Sequence, residues 1–109
     1  MTDRELLELA AKAAGLKPGT WFDGWNDEGR ETGDHWNPLI SDGEALRLAV
    51  KLGIIVCCIP YDVHFTGVYL PADRHGGKYD FVYMHHGDPY AATRRAIVRA
   101  AAEIGRKMP

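Results

Sequence analysis

Apolar residues recur at helical spacing in three stretches of the chain and at strand spacing between the second and the third. The first stretch opens with Thr2 and Glu5, the S/T-x-x-E relation of a capping box, in which each side chain serves a backbone N–H left free at a helix start. Leu6, Leu9, Ala10 and Ala13 then share one face, with Leu7 and Ala14 on its edge. Arg4, Glu5, Glu8 and Lys12 share the other face, and Glu8 and Lys12 are spaced for an i,i+4 ion pair. Gly15 supplies a left-handed stop. The second stretch is capped at Ser41, with Glu44 three residues on, and ends at Gly53. Ala45, Leu46, Leu48, Ala49, Val50 and Leu52 leave only Glu44, Arg47 and Lys51 as a polar strip, the pattern of a heavily covered helix. The third begins at Asp88 and Pro89, a cap followed by proline at the favoured first position, and stops at Gly105. Ile97, Ala100, Ala101 and Ile104 form its inner face. Arg95, Arg99, Glu103 and Arg106 form its outer face.

Strand patterns fill the interval. Ile54 to Ile59 is a continuous apolar run, read as a central strand covered on both faces. Val63 to Leu70 follows, with Val63, Phe65 and Tyr69 on one face and Gly67 between the last two. Lys78 to His86 alternates Tyr79, Phe81, Tyr83 and His85 against Asp80, Val82, Met84 and His86. Residues 16 to 40 carry glycines, prolines and three tryptophans in no regular period. A structureless loop of that length is unusual inside a domain, so a short strand is expected near Thr20 to Trp25, with a return near His35. The expected fold is α/β: one domain over 1–109, a small and mainly antiparallel sheet of three to four strands, and three helices packed on it. Leu6, Leu9, Leu46, Ala49, Leu52, Ile97, Ala101 and Ile104 should all be buried against that sheet.

Composition narrows the function classes. With 109 residues and a formal charge of -2, the chain lacks the basic excess of a general nucleic-acid binder. Cys57 and Cys58 are adjacent, so on a strand they point to opposite faces and have no other cysteine to pair with, which points to a reducing compartment. There is no apolar leader and no run of membrane-spanning length. A cytoplasmic location, in a host cell, is the expectation.

The pattern Trp36-Asn37-Pro38, Asp42, Ala45-Leu46-Arg47-Leu48-Ala49-Val50, then strands, then Ala92-Thr93-Arg94-Arg95-Ala96-Ile97 resembles small phage-encoded proteins of the phage ABA (alpha-beta-alpha) sandwich family and, more distantly, NinX-like phage proteins. The resemblance spans the chain except the tryptophan-rich segment at 16 to 36. It implies a phage or prophage origin, helices packed against a sheet and an accessory role. It carries over no activity.

Candidate chemistry is sparse. The histidines His35, His64, His75, His85 and His86 show no metal-ligand spacing, and no nucleophile motif is present. Cys57 and Cys58 lie in the most apolar run, where cysteine behaves as a small hydrophobe. No catalytic residue, metal or cofactor is assigned. Trp21, Trp25 and Trp36 stand out as large aromatic groups for a core or a contact surface. Arg94 falls inside the apolar arc of the last helix, near Tyr90 and Thr93. There it snorkels outward, pairs with a buried carboxylate such as Asp42 or Asp62, or binds an anion at the helix start. Trp21, Trp25, Trp36, Tyr90 and Arg94 are therefore the expected binding residues. The expected function is non-catalytic: binding a host protein, or sequestering a small nucleotide-like ligand, to counter host defence. No membrane or nucleic acid is expected as partner, and a homo-oligomer stays open. The alternatives are a small hydrolase using histidine and carboxylate, and a DNA-binding regulator using Arg95, Arg99 and Arg106.

Overall fold

The computed structural model describes residues 2–16, 36–59, 64–71 and 78–109. The expected strand near Thr20 to Trp25 and its return near His35 lie outside them. Among the described residues three helices and three strands follow in the order α1 (Asp3–Ala14), α2 (Asp42–Leu52), β1 (Ile55–Ile59), β2 (Phe65–Tyr69), β3 (Phe81–Met84) and α3 (Pro89–Lys107). The sheet is antiparallel throughout, in the order β1-β2-β3.

The caps explain where the helices begin. Thr2 and Glu5 form the reciprocal capping box, and Gly15 closes α1 in the left-handed conformation. Ser41 accepts from the Glu44 N–H at 3.2 Å, while the Glu44 carboxylate meets Arg47 at 3.2 Å. Asp88 accepts from the Ala91 N–H at 3.0 Å, with Pro89 in the first turn. Along α1, Glu8 pairs with Arg4, and Lys12 donates to the Met108 carbonyl.

α3 is the hub, because it touches every other described element. Its buried residues, Ala96, Ile97, Val98, Ala100, Ala101, Ala102 and Gly105, go round most of its circumference. The sheet lies against it through Thr66 and Val68, both fully buried, while α1 and α2 pack against it in turn. Small side chains make this possible, since helices approach closely where alanine and glycine meet.

Several expectations need correcting. Gly105 does not stop α3, which runs on to Lys107. It stands where α1 crosses, and a β-carbon there would overlap the Leu9 carbonyl. Close approach, not a turn, requires this glycine. The buried face of α1 is rotated toward Leu7, Ala11 and Ala14, because its neighbour is α3 rather than the sheet. Among the described residues β1 lies at the edge of the sheet rather than at its centre, and Cys58 on it is exposed. The apolar run carried no sign of which strand would take the middle. β2 takes it, with its three central residues buried.

α2 is far less covered than its pattern suggested. Leu46 is 64% exposed and Val50 74%, with Ile40 also exposed before the helix. Leu46 therefore leaves the expected core set. Leu6, Ala49, Ile97 and Ala101 are buried, but Leu6 and Ala49 belong to helices that pack chiefly on α3 rather than on the sheet, and Leu9, Leu52 and Ile104 are partly buried against the core. The outer face of α3 is also drier than expected. Arg99 stacks on Phe81, 4.5 Å from the ring centre, and Glu103 is held among Arg99, Arg106 and Lys107.

Tyr79 parts from Phe81 and Tyr83. Those two face the core, whereas the Tyr79 ring lies across Gly67 on the far side of the sheet, against Phe65 and Tyr69. Burial in this aromatic cluster, with Cys57 and Tyr69 alongside, raises the Tyr79 phenol above its ordinary pKa of 10.0.

Candidate functional site

The N-terminal end of α3 diverges from α2 and leaves a groove of about 490 Å³. Asp42, Ala45, Leu46 and Ala49 of α2 form one wall, and Val56 and Cys58 of β1 form another. Pro89, Tyr90, Thr93, Arg94 and Ile97 of α3 complete it. The volume lies in the range that holds a small molecule or a few side chains of a partner. Most of the lining is apolar, and the two largest exposed groups, Leu46 and Tyr90, stand on opposite sides.

Local geometry upstream of α2 sets one end. The buried Asn37 accepts the Leu39 N–H on its side chain at 3.0 Å, and its carbonyl accepts from Ile40 and Ser41. This turn delivers the Leu39 carbonyl to Arg94, whose Nε donates to it at 2.8 Å. Arg94 Nη1 donates to Asp42 Oδ1 at 2.7 Å. Of the roles open to Arg94 from sequence, pairing with Asp42 is the one adopted, although that carboxylate is exposed rather than buried. The guanidinium, 18% exposed, ties the start of α2 to α3, and its charge is answered by Asp42.

A second polar feature crosses the floor. Cys58 Sγ lies 3.6 Å from Thr93 Oγ1, which is 2.8 Å from Thr66 Oγ1, which is 2.8 Å from His85 Nε2. Thr66 is fully buried, and His85 is 6% exposed. The chain begins at two residues of the groove wall and ends on a dry imidazole. Among the described residues, no group of three histidine, cysteine or acidic side chains is placed to hold a metal ion.

Tyr90 and Arg94 both line the groove, as a shared site would require. Trp36 is partly buried against the core. Trp21 and Trp25 lie outside the described residues. Cys58, Thr93, Thr66 and His85 were not expected at the site. The available signal was strand alternation, which sends Cys58 and Cys57 to opposite faces. What was missing was the register that sets Cys58 opposite Thr66. The arginines considered for DNA contact each have a partner: Arg95 meets Asp3 at 2.7 Å, Arg99 meets Phe81 and Glu103, and Arg106 meets Glu103.

No family model matches the chain, and no curated protein or solved structure matches it. Among the described residues, no helix is long and apolar enough to cross a membrane.

Proposed function

We propose that this is a non-catalytic accessory protein of phage or prophage origin that acts by binding in the host cytoplasm, with the groove between α2, β1 and α3 as its binding surface. The ligand is an apolar segment of a host protein, and its capture counters host defence. The origin and the defence role rest on the sequence resemblance alone. The choice of a protein over a nucleotide-like signal rests on one observation: the groove is apolar, and its arginine is already neutralised by Asp42. A phosphate would have to displace a carboxylate from Arg94 and then lie against alanine, valine and isoleucine. Apolar side chains need displace nothing. Leu46 and Tyr90 offer an aliphatic and an aromatic anchor, the groups that carry energy at protein interfaces.

Selection of peptides from a random display library against the purified protein tests this. The selected peptides should carry apolar anchors at helical spacing, i and i+3 or i+4. Leu46→Arg and Tyr90→Ala should each weaken them by about tenfold, the scale of a truncated hot spot. Calorimetry with mono- and dinucleotides provides the other arm. Tight nucleotide binding, or peptides indifferent to both substitutions, would overturn the reading.

A further inference from the structure

The groove carries a nucleophile at its open side and a base at its dry end. Cys58 and Thr93 line the wall, and Thr66 and His85 continue the hydrogen-bonded chain into the core. A hydroxyl can donate and accept at once, so the two threonines form an unbroken path from sulfur to imidazole. The fold also supplies an internal control. Cys57 is next in sequence but lies opposite Gly67, on the sheet face that Tyr79 covers, away from the chain. The two adjacent thiols differ in exposure, with Cys58 the more open, and in partner: Cys57 lies beside the Tyr79 phenol, whereas Cys58 reaches His85 through hydroxyls, so the Thr93 variants rather than Cys57 test the path itself.

We propose that Cys58 is an acyl acceptor, taking an acyl group from a thioester or activated ester whose neutral, apolar chain lies along Ala45, Ala49, Val56 and Ile97. This rests on the groove being the binding surface, where the acyl chain would occupy the same apolar lining as a peptide. The Cys58 proton passes to Thr93 Oγ as the Thr93 proton passes to Thr66 Oγ and the Thr66 proton to His85 Nε2. The result is a thiolate, two intact hydroxyls and an imidazolium, with Thr93 now donating to sulfur. The thiolate attacks the carbonyl carbon. The new S–C bond forms as the bond from that carbon to the leaving sulfur or oxygen breaks. The proton returns from His85 through Thr66 and Thr93 to the leaving group. Atoms and charge balance, and no electron changes hands.

The surroundings suit that substrate. The first turn of α3 lines the groove through Pro89 and Tyr90. The walls accept hydrocarbon. Arg94 offers no open charge to a chain ending in a carboxylate, because Asp42 holds it. Cys58 is the nucleophile, and Thr66 and His85 are positioning residues that act through Thr93.

The test uses p-nitrophenyl hexanoate, following nitrophenolate release, protein mass and the labelled peptide. The wild-type protein should release one equivalent in a burst and carry the hexanoyl group on Cys58. Cys58→Ala should abolish the burst, and Cys57→Ala should leave it unchanged. Thr93→Val should slow it by about a hundredfold, the scale of lost general-base assistance, and Thr93→Ser should restore it. His85→Gln should slow it as well. Because removing a buried imidazole can unfold the protein, the decisive comparison is Thr93→Val against Thr93→Ser at equal melting temperature. Equal labelling of Cys57 and Cys58 would overturn the proposal, as would Thr93→Val reacting at the wild-type rate or Thr93→Ser reacting as slowly as Thr93→Val. Peptide binding measured on the same Cys58→Ala sample separates the two readings. If selected peptides bind while no burst occurs, the covalent step falls and the binding surface stands. A burst with no peptide binding keeps the groove as an acyl site and overturns the peptide as its occupant.

Discussion

The two ends of α3 use the same helix in opposite ways. At its C-terminal end α1 crosses at Gly105, so closely that a methyl group would meet the Leu9 backbone. At its N-terminal end α2 stands off, and the space between is the groove. One end has no room for an added atom, whereas the other holds a volume that no described side chain fills. Close packing stabilises, and open apolar space invites a ligand, so a single helix divides the molecule into an anchor and a mouth.

The strongest way to break that contrast is to add a methyl group at the closed end. Gly105→Ala should destabilise by about 3 kcal/mol or more, since the obstacle is backbone and cannot swing aside. Gly43→Ala, in α2 with only the flexible Arg47 side chain nearby, should instead stabilise by about 0.5–1 kcal/mol through helix propensity. Chemical denaturation of both variants checks this, and equal effects would erase the distinction.

Arg94 sits at the margin of the mouth but is bonded like part of the anchor. Arg94→Ala should cost about 1.5–3 kcal/mol, because it strips a charged donor from the Leu39 carbonyl. Arg94→Lys should recover little of this, since one ammonium does not reproduce the two-pronged contact. Unchanged denaturation with a selective loss of ligand binding would return Arg94 to the role of ligand contact. Ser41→Ala should cost about 1 kcal/mol by freeing the Glu44 N–H. Leu46→Ser should change stability by less than about 0.5 kcal/mol, as an exposed side chain does, while weakening any groove ligand.

The smallest expected effect is a pH dependence at the anchor end. Arg106 bonds the Glu103 carboxylate, and with Lys107 and Arg99 nearby the Glu103 pKa falls below its ordinary 4.5. A depressed folded-state pKa means the contribution is fully present above 4.5 and fades as the pH drops through the lower folded value. Glu103→Gln should therefore flatten the acid limb of a plot of stability against pH. An identical limb in the variant would show that other carboxylates set it.

Caps, helices and strand identities were legible because their signals are local: Thr2 with Glu5, Asp88 with Pro89, and the alternation around Phe81. Partners were not local, and there the sequence misled. An apolar α2 reads the same whether its outer stripe meets a core or, like Leu46 and Val50, meets solvent. Gly105 looked like a stop because a glycine near the end of a helical pattern usually is one, and only the path of α1 reveals otherwise. Tyr90 and Arg94 line the groove, and Arg94 drew notice in the sequence because an arginine inside an apolar arc is conspicuous. Thr66, Thr93 and His85 did not, since nothing in their spacing announces that strand register and helix placement bring them into line.

The seam between α1 and α3 has a kinetic side. Lys12 reaches Met108 across 96 positions, and Arg95 reaches Asp3 across 92. Such contacts are among the last to become available as a chain leaves the ribosome, and closing so large a loop carries an entropy cost before any contact offsets it. Until α3 has been synthesised, α1 lacks its main partner among the described elements, and the sheet lacks the helix that Thr66 and Val68 pack against. The nascent chain therefore exposes both, a period in which chaperones or aggregation compete with folding. Its folding waits for α3.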